Sequence, residues 1–129
     1  MEIIVIGVEP PCPRCKRVYE MAKEISTQVG DISVRKITWD SPEALQYGKV
    51  TTGHHIAQEY GVEVNGEELR SLASQDWSPK LDEVLMPLKN KAEEVGILMT
   101  PVVVIDGKVA FMGYVPANED LRKKVLAVS

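Results

Sequence analysis

The sequence predicts an α/β fold: a central mixed four-stranded sheet flanked by helices in the order β-α-β-α-β-β-α, with a mainly helical insertion. Three observations carry this. Ile3 to Val8 is an apolar, β-branched run with almost no alternation, which suits a central strand buried on both faces. Apolar residues then recur at spacings of three and four before a second strand-like stretch, making a βαβ unit with parallel pairing and a right-handed crossover. Near the other end two strand-like runs flank Asp106-Gly107, a pair that tolerates positive φ at both central turn positions and so marks a β-hairpin.

Taken in order, Pro10-Pro11 stop the first strand, and Val18, Ala22, Ile25 and Val29 form the stripe of an amphipathic helix that Gly30 ends. Ile32 to Trp39 alternates loosely and reads as the second strand. Ser41 to Tyr60 offers short helices interrupted by Gly48 and Gly53, and Val62 to Gly66 reads as the start of a small hairpin. Leu81, Val84, Leu85, Leu88, Ala92 and Val95 predict a helix over Pro79 to Val95, with Pro79 in its first turn and Pro87 kinking it. Its apolar stripe needs cover, so it is expected to dock on the sheet. Val102 to Ile105 and Val109 to Met112 are the hairpin strands. Leu121 and Val125, with acids Glu119 and Asp120 early and Arg122, Lys123 and Lys124 late, predict a closing helix oriented as the helix dipole favours. Ala57 to Val62 and Ala92 to Ile97 share a short pattern of Ala, Glu, Gly and a β-branched residue, too brief to define a repeat.

The chain has 129 residues, 44% of them hydrophobic, and these suffice for a real core in one domain spanning 1–129. Fifteen Lys+Arg against nineteen Asp+Glu give a formal charge of −4, with the cations scattered, so nucleic acid is not an expected partner. No apolar run approaches the roughly 18 residues that span a bilayer, so no membrane partner is expected. Met1-Glu2 leads directly into a strand-like run and not a signal sequence, so the expected location is cytoplasmic.

Both cysteines fall in one window, Cys12-Pro13-Arg14-Cys15. A disulfide closing so short a loop removes little entropy from the unfolded chain, so reversible redox chemistry or metal binding explains the pair better than stapling. Cys12 lies where a helix begins, next to unpaired N–H groups and the positive end of the macrodipole, with Pro13 suited to the first turn and Arg14, Lys16 and Arg17 adding positive potential. Its thiol pKa is therefore expected to be lowered. Cys15 lies one turn on, within the apolar stripe.

The order strand, Cys-Pro-Arg-Cys, helix, strand, then Thr100-Pro101, hairpin and helix resembles the thioredoxin and glutaredoxin superfamily. The likeness is greatest to small thioredoxin-like redox-active disulfide proteins, with C-P-x-C, T-P before V-I-D-G-K-V, and a following V-P and helix. It covers residues 1 to about 50 and about 95 to 128, leaving approximately 51–95 as the insertion. The resemblance implies a thioredoxin-like fold and a thiol–disulfide oxidoreductase in which Cys12 attacks and Cys15 resolves. It implies a cis bond at Thr100-Pro101 that presents the Thr100 backbone to an extended substrate. Pro13, Arg14, Thr100, Pro101 and Tyr114 are the expected substrate-binding residues. The implied partners are a disulfide-containing protein or small molecule and a thiol or flavoprotein reductant; no cofactor and no resident metal are implied.

The chain departs from the better-known members in two ways. Glu9-Pro10-Pro11 precedes Cys12, and Ile3 to Val8 holds no acid, so the usual proton relay for Cys15 is missing; Glu9 and Asp40 are the candidate substitutes. Gly113-Tyr114 lacks the second glycine that glutathione-binding relatives often carry. A metal-binding or metal-trafficking module built on the same cysteines is the alternative function. His54, His55 and Glu59 read as solvated residues of the middle segment, which is expected to shape partner choice without supplying catalytic groups. Trp39 and Trp77 read as core anchors, and Met112 as a residue edging the site beside Tyr114.

Overall fold

The computed structural model describes residues 1–128. Strand β1 (Glu2–Gly7) is followed by α1 (Pro13–Val29), which Gly30 ends at φ 84°, and then by β2 (Ser33–Thr38). A single helical turn, α2 (Pro42–Leu45), and a two-residue strand, β3 (Val50–Thr51), lead into three helices: α3 (Gly53–Tyr60), α4 (Gly66–Ala73) and α5 (Pro79–Val95). The chain then forms β4 (Leu98–Met99), β5 (Val102–Ile105), β6 (Lys108–Met112) and α6 (Asn118–Val128).

Among the described residues the main sheet has the order β2-β1-β5-β6. β1 pairs parallel with β2 in the register Glu2↔Ser33 to Gly7↔Thr38 and antiparallel with β5, and β5 pairs antiparallel with β6. This is the expected mixed sheet, with the βαβ unit at one side and the hairpin at the other. The hairpin turn has Asp106 at φ 46° and Gly107 at φ 82°, as that residue pair predicts.

Because β1 is central, its side chains feed both faces. Ile3 and Val5 join Val103 and Ile105 beneath Val18, Ala22 and Ile25 of α1 and Leu121 and Val125 of α6. Ile4 and Ile6 join Val102 and Val104 on the other face, covered by Ala44, Val50, Trp39 and Tyr47. An unbroken apolar strand is thus required by period-two geometry with cover on both sides.

The middle segment builds a further core of its own. Leu81, Leu85, Leu88 and Ala92 of α5 pack with Ile56, Ile97 and Met99 and with the partly buried Tyr60, Leu69 and Leu72. The expected docking of α5 on the sheet is therefore corrected: its stripe is covered mainly by α3 and α4. Trp77 and Met112 join this cluster to the clusters on the two sheet faces. Pro87 stands on the exposed side of α5 without ending it, so the carbonyl it leaves without a donor can meet water.

The expected hairpin at Val62 to Gly66 is also corrected. Asn65 is the N-cap of α4, its Oδ1 accepting the Glu68 N–H at 3.1 Å, with Glu67 and Glu68 complementing the dipole. The pattern shared by Ala57 to Val62 and Ala92 to Ile97 has a local cause. Gly61 and Gly96 end α3 and α5 in the left-handed region, and Val62 and Ile97 donate back to the Ala57 and Ala92 carbonyls at 3.2 and 2.9 Å. Both β-branched residues then fold into the middle cluster, which makes each pattern a helix-ending motif.

Candidate active site

β1 ends in the loop that carries the cysteine window to the head of α1. Cys12 is the N-cap of α1, extended at φ −74° and ψ 166°, and its sulfur accepts the Cys15 N–H at 3.4 Å. Sulfur thus takes the place that a serine or aspartate oxygen usually fills at a helix start. Pro13 follows in the first turn, where its missing N–H costs nothing. The two sulfurs are 3.3 Å apart, and with Cys12 as the thiolate it is the Cys15 S–H that donates.

This geometry separates the two thiols. Cys12 is half-buried with its pKa lowered to about 6, chiefly by the Cys15 hydrogen bond and further by the Cys15 N–H and the Arg14 charge, against the opposing effect of burial. Cys15 is 4% exposed, and its thiol is pushed up, first by donating to Cys12 and then by burial. The pair holds one shared proton on the buried sulfur and presents the other sulfur as a thiolate.

Room for Cys15 comes from Gly7. A Cβ on Gly7 would lie 2.8 Å from the Cys15 sulfur and 3.0 Å from its Cβ. The strand therefore has no space at position 7 for any side chain, an acid included. A small cavity of about 50 Å³ adjoins Cys15, bounded by Gly7, Glu9, Tyr19 and Lys36. Glu9 reaches its edge and approaches Lys36 at 4.0 Å, whereas Asp40 is not among the residues lining it.

Arg14, expected to add positive potential at the helix head and to bind substrate, turns its side chain inward and is 5% exposed. Its guanidinium donates to the Gly113 carbonyl at 2.6 Å and the Thr100 carbonyl at 3.0 Å and lies 3.6 Å from Asp82. It ties the head of α1 to the two loops that close the sheet. The Thr100–Pro101 bond is cis, as the resemblance implies; Glu9–Pro10 is cis as well. The expected offer of the Thr100 backbone to substrate meets a different arrangement. Its N–H already donates to the Thr51 carbonyl at 3.0 Å, and its carbonyl accepts from Arg14.

Cys12, Pro13, Arg14 and Thr100 border one groove of about 180 Å³, whose far wall is supplied by Thr52, His54, Leu69, Ala73, Leu81 and Leu85. Pro101 is buried behind Thr100. Tyr114 does not line this groove; its ring meets Phe111 edge-on at 6.1 Å and lies under the Lys89 ammonium at 5.2 Å. Of the two histidines, His54 borders the groove, while the Thr52 hydroxyl and His55 Nδ1 are hydrogen-bonded at 2.6 Å and the His55 ring packs against Trp39.

Gly7, Asp82 and the groove residues of α3 to α5 are the features that sequence reading missed. Gly7 was open to detection as the lone glycine in an apolar strand, since such a glycine marks close approach of another group. Asp82 carries no such signal, because an acid in the first turn of a helix reads as a dipole partner.

No curated protein and no solved structure matches the chain. The family model of a thioredoxin domain matches residues 80–126, a stretch running from α5 through Thr100–Pro101 and the hairpin into α6; the cysteine pair precedes it. Together with the Cys-x-x-Cys pair at the head of α1 and the mixed sheet flanked by helices, that match gives this chain a thioredoxin-family domain over part of its length, consistent with membership of the thioredoxin/glutaredoxin superfamily.

Proposed function

We propose that the protein is a thiol–disulfide oxidoreductase in which Cys12 attacks and Cys15 resolves. The observation that carries this reading is the arrangement of the pair, with a low-pKa sulfur at the helix N-cap receiving both the N–H and the S–H of a buried partner. In the first step the Cys12 thiolate attacks one sulfur of a substrate disulfide, the substrate S–S bond breaks, and the leaving sulfur departs as a thiolate. Once Cys12 is in the mixed disulfide, its negative charge is gone and the largest cause holding the Cys15 proton disappears. That proton passes to the departing sulfur, and Cys15 attacks the Cys12 sulfur and expels the second substrate thiolate. Two electrons have moved to the substrate, and the Cys12–Cys15 disulfide awaits an external thiol or flavoprotein reductant.

Substrate recognition rests on the groove. Pro13, Thr100 and the cis Pro101 behind it form the near side, and the middle segment forms the far side. With the Thr100 N–H already committed to Thr51, an apolar side chain flanking the substrate disulfide supplies more of the fit than backbone pairing does. The substrate is a protein or small-molecule disulfide. Among the described residues no helix is long and apolar enough to cross a membrane. The cytoplasm, where reduced thiols supply electrons, is the compartment that suits this activity. Residues 1–129 act as one thioredoxin-like domain carrying approximately 51–95 as an insertion.

Cys15→Ser tests the reading. It should hold a disulfide substrate on Cys12 as a stable mixed disulfide, while Cys12→Ser should trap nothing, and the unaltered protein should reduce insulin disulfides with dithiothreitol as electron source. Absence of turnover together with zinc retained in stoichiometric amount through purification would reject it in favour of the metal module.

A further inference from the structure

Asp82 belongs to the first turn of α5, in the middle segment, yet its carboxylate is 12% exposed and faces the head of α1. Its Oδ2 accepts from the Trp77 indole N–H and the Val115 N–H, both at 3.1 Å. Its Oδ1 has no hydrogen-bond partner among the described residues and lies 3.6 Å from Arg14. Arg14 spends its short hydrogen bonds on the Gly113 and Thr100 carbonyls. A buried guanidinium therefore has its countercharge nearby but not hydrogen-bonded to it, and it sits two residues after Cys12.

We infer that Asp82 is a positioning residue that acts through Arg14 to set the redox poise of the Cys12–Cys15 pair. This rests on the redox reading of the cysteines. Two anions compete for one buried cation: the Asp82 carboxylate, always present, and the Cys12 sulfur, charged only in the reduced protein. In surroundings of low dielectric the field of each is felt over several ångströms. Asp82 holds part of the Arg14 field away from Cys12 and keeps the reduced form from being over-stabilised. Without its charge the reduced form is favoured and the pair becomes a stronger oxidant, the same direction in which other cysteine pairs are tuned. The Arg14 charge already contributes to lowering the Cys12 pKa, and burial raises that of Asp82, as expected of a carboxylate held with incomplete compensation. The other titratable group bordering the Cys12 groove is His54 on α3; Cys15 lies 3.3 Å from Cys12 outside that lining, Tyr114 feels the Asp82 charge, and none of these side chains is replaced by the substitution.

The test is Asp82→Asn, which keeps the shape and an oxygen acceptor for Trp77 and Val115 while removing the charge. Equilibrium with glutathione should shift about tenfold toward the reduced protein, or about 30 mV. The midpoint pH of Cys12 alkylation should fall by at least half a unit, and Asp82→Glu should restore most of both. In an Arg14→Gln background the same Asp82→Asn change should move the alkylation midpoint by less than a third as much. If Asp82→Asn does not fold, Asp82→Ser replaces it under the same criteria. A lowered thermal midpoint with unchanged alkylation profile and redox equilibrium would show Asp82 to be structural only and overturn the inference. An undiminished shift without Arg14 would overturn the route through it. Should the unaltered protein fail to exchange with glutathione or any disulfide, the redox reading falls, and the alkylation profile still decides whether Asp82 governs Cys12.

Discussion

Gly7→Ala adds one methyl group at the most crowded point of the site. Gly7 lies in β1 with ordinary strand dihedrals, so alanine meets no backbone strain and the effect is steric alone. The new carbon would stand 2.8 Å from the Cys15 sulfur, whereas carbon packs comfortably at about 3.5–4.0 Å. Something must retreat by about 1 Å. β1 is held by strands on both sides and Cys15 by the first turns of α1, so neither gives freely. Overpacking of this kind costs about 1–3 kcal/mol, and urea unfolding of the reduced protein reads it directly. The displaced sulfur also loses its 3.3 Å approach to Cys12, so release of a trapped substrate by Cys15 should slow by about tenfold, equivalent to about 1.4 kcal/mol. Gly53→Ala is the control. Its Cβ would sit 3.4 Å from Leu88 and 3.7 Å from Met99, tight but not overlapping, and far less stability should be lost. A change under about 0.5 kcal/mol for Gly7→Ala, with unchanged release, would refute the claim that this glycine exists to admit Cys15.

Iodoacetamide should modify Cys12 and leave Cys15 nearly untouched, with a rate that rises through pH about 6 and levels off above it; faster labelling of Cys15 would overturn the assignment. The same depressed pKa ties folding to pH. The unfolded thiol, near its ordinary 9.0, binds a proton that the folded Cys12 does not, so this contribution to the stability of the reduced protein is fully present above 9.0 and lost as pH falls through about 6. Denaturant unfolding at pH 5 and pH 8, compared with Cys12→Ser, should show it as an excess at the higher pH. Replacing His54 and His55 together with alanine should leave the cysteine midpoint potential and small-disulfide turnover nearly unchanged, since His55 is bonded to Thr52 and, among the described residues, neither ring is hydrogen-bonded to Cys12 or Cys15. A tenfold fall in turnover would make the pair part of the catalytic machinery.

How much of this was legible in the residues depends on whether the signal was local. β1, α1, the Asp106-Gly107 hairpin and α6 follow from periodicity, caps and turn chemistry that each segment carries within itself, and the cysteine pair at a helix head follows from the same local reading. Asn65 shows how narrow the margin is, because an Asn-Gly pair serves a hairpin or a helix start equally well; Glu67 and Glu68 decided it for the helix. Arg14 was read as adding positive potential and binding substrate, and its inward course was hidden because nothing adjacent to it in sequence reveals that Asp82, Thr100 and Gly113 converge there. The groove was hidden for the same reason. Leu85 reads only as part of a helix stripe, and Leu69 carries no signal of its own, until α4 and α5 are placed opposite Cys12. The expectation that the middle segment supplies specificity remains a proposal, but Asp82 shows that it also reaches the residue beside the nucleophile.

The central claim, that Cys12 and Cys15 form a reversible redox couple, is tested most directly by equilibrating the protein across a range of glutathione ratios and quantifying the intramolecular disulfide by mass spectrometry after acid quench and alkylation. The expected result is a two-electron transition with a midpoint between roughly −270 and −180 mV. A midpoint below about −320 mV, marking an inert structural bond, or two cysteines that stay reduced at every ratio, would contradict it.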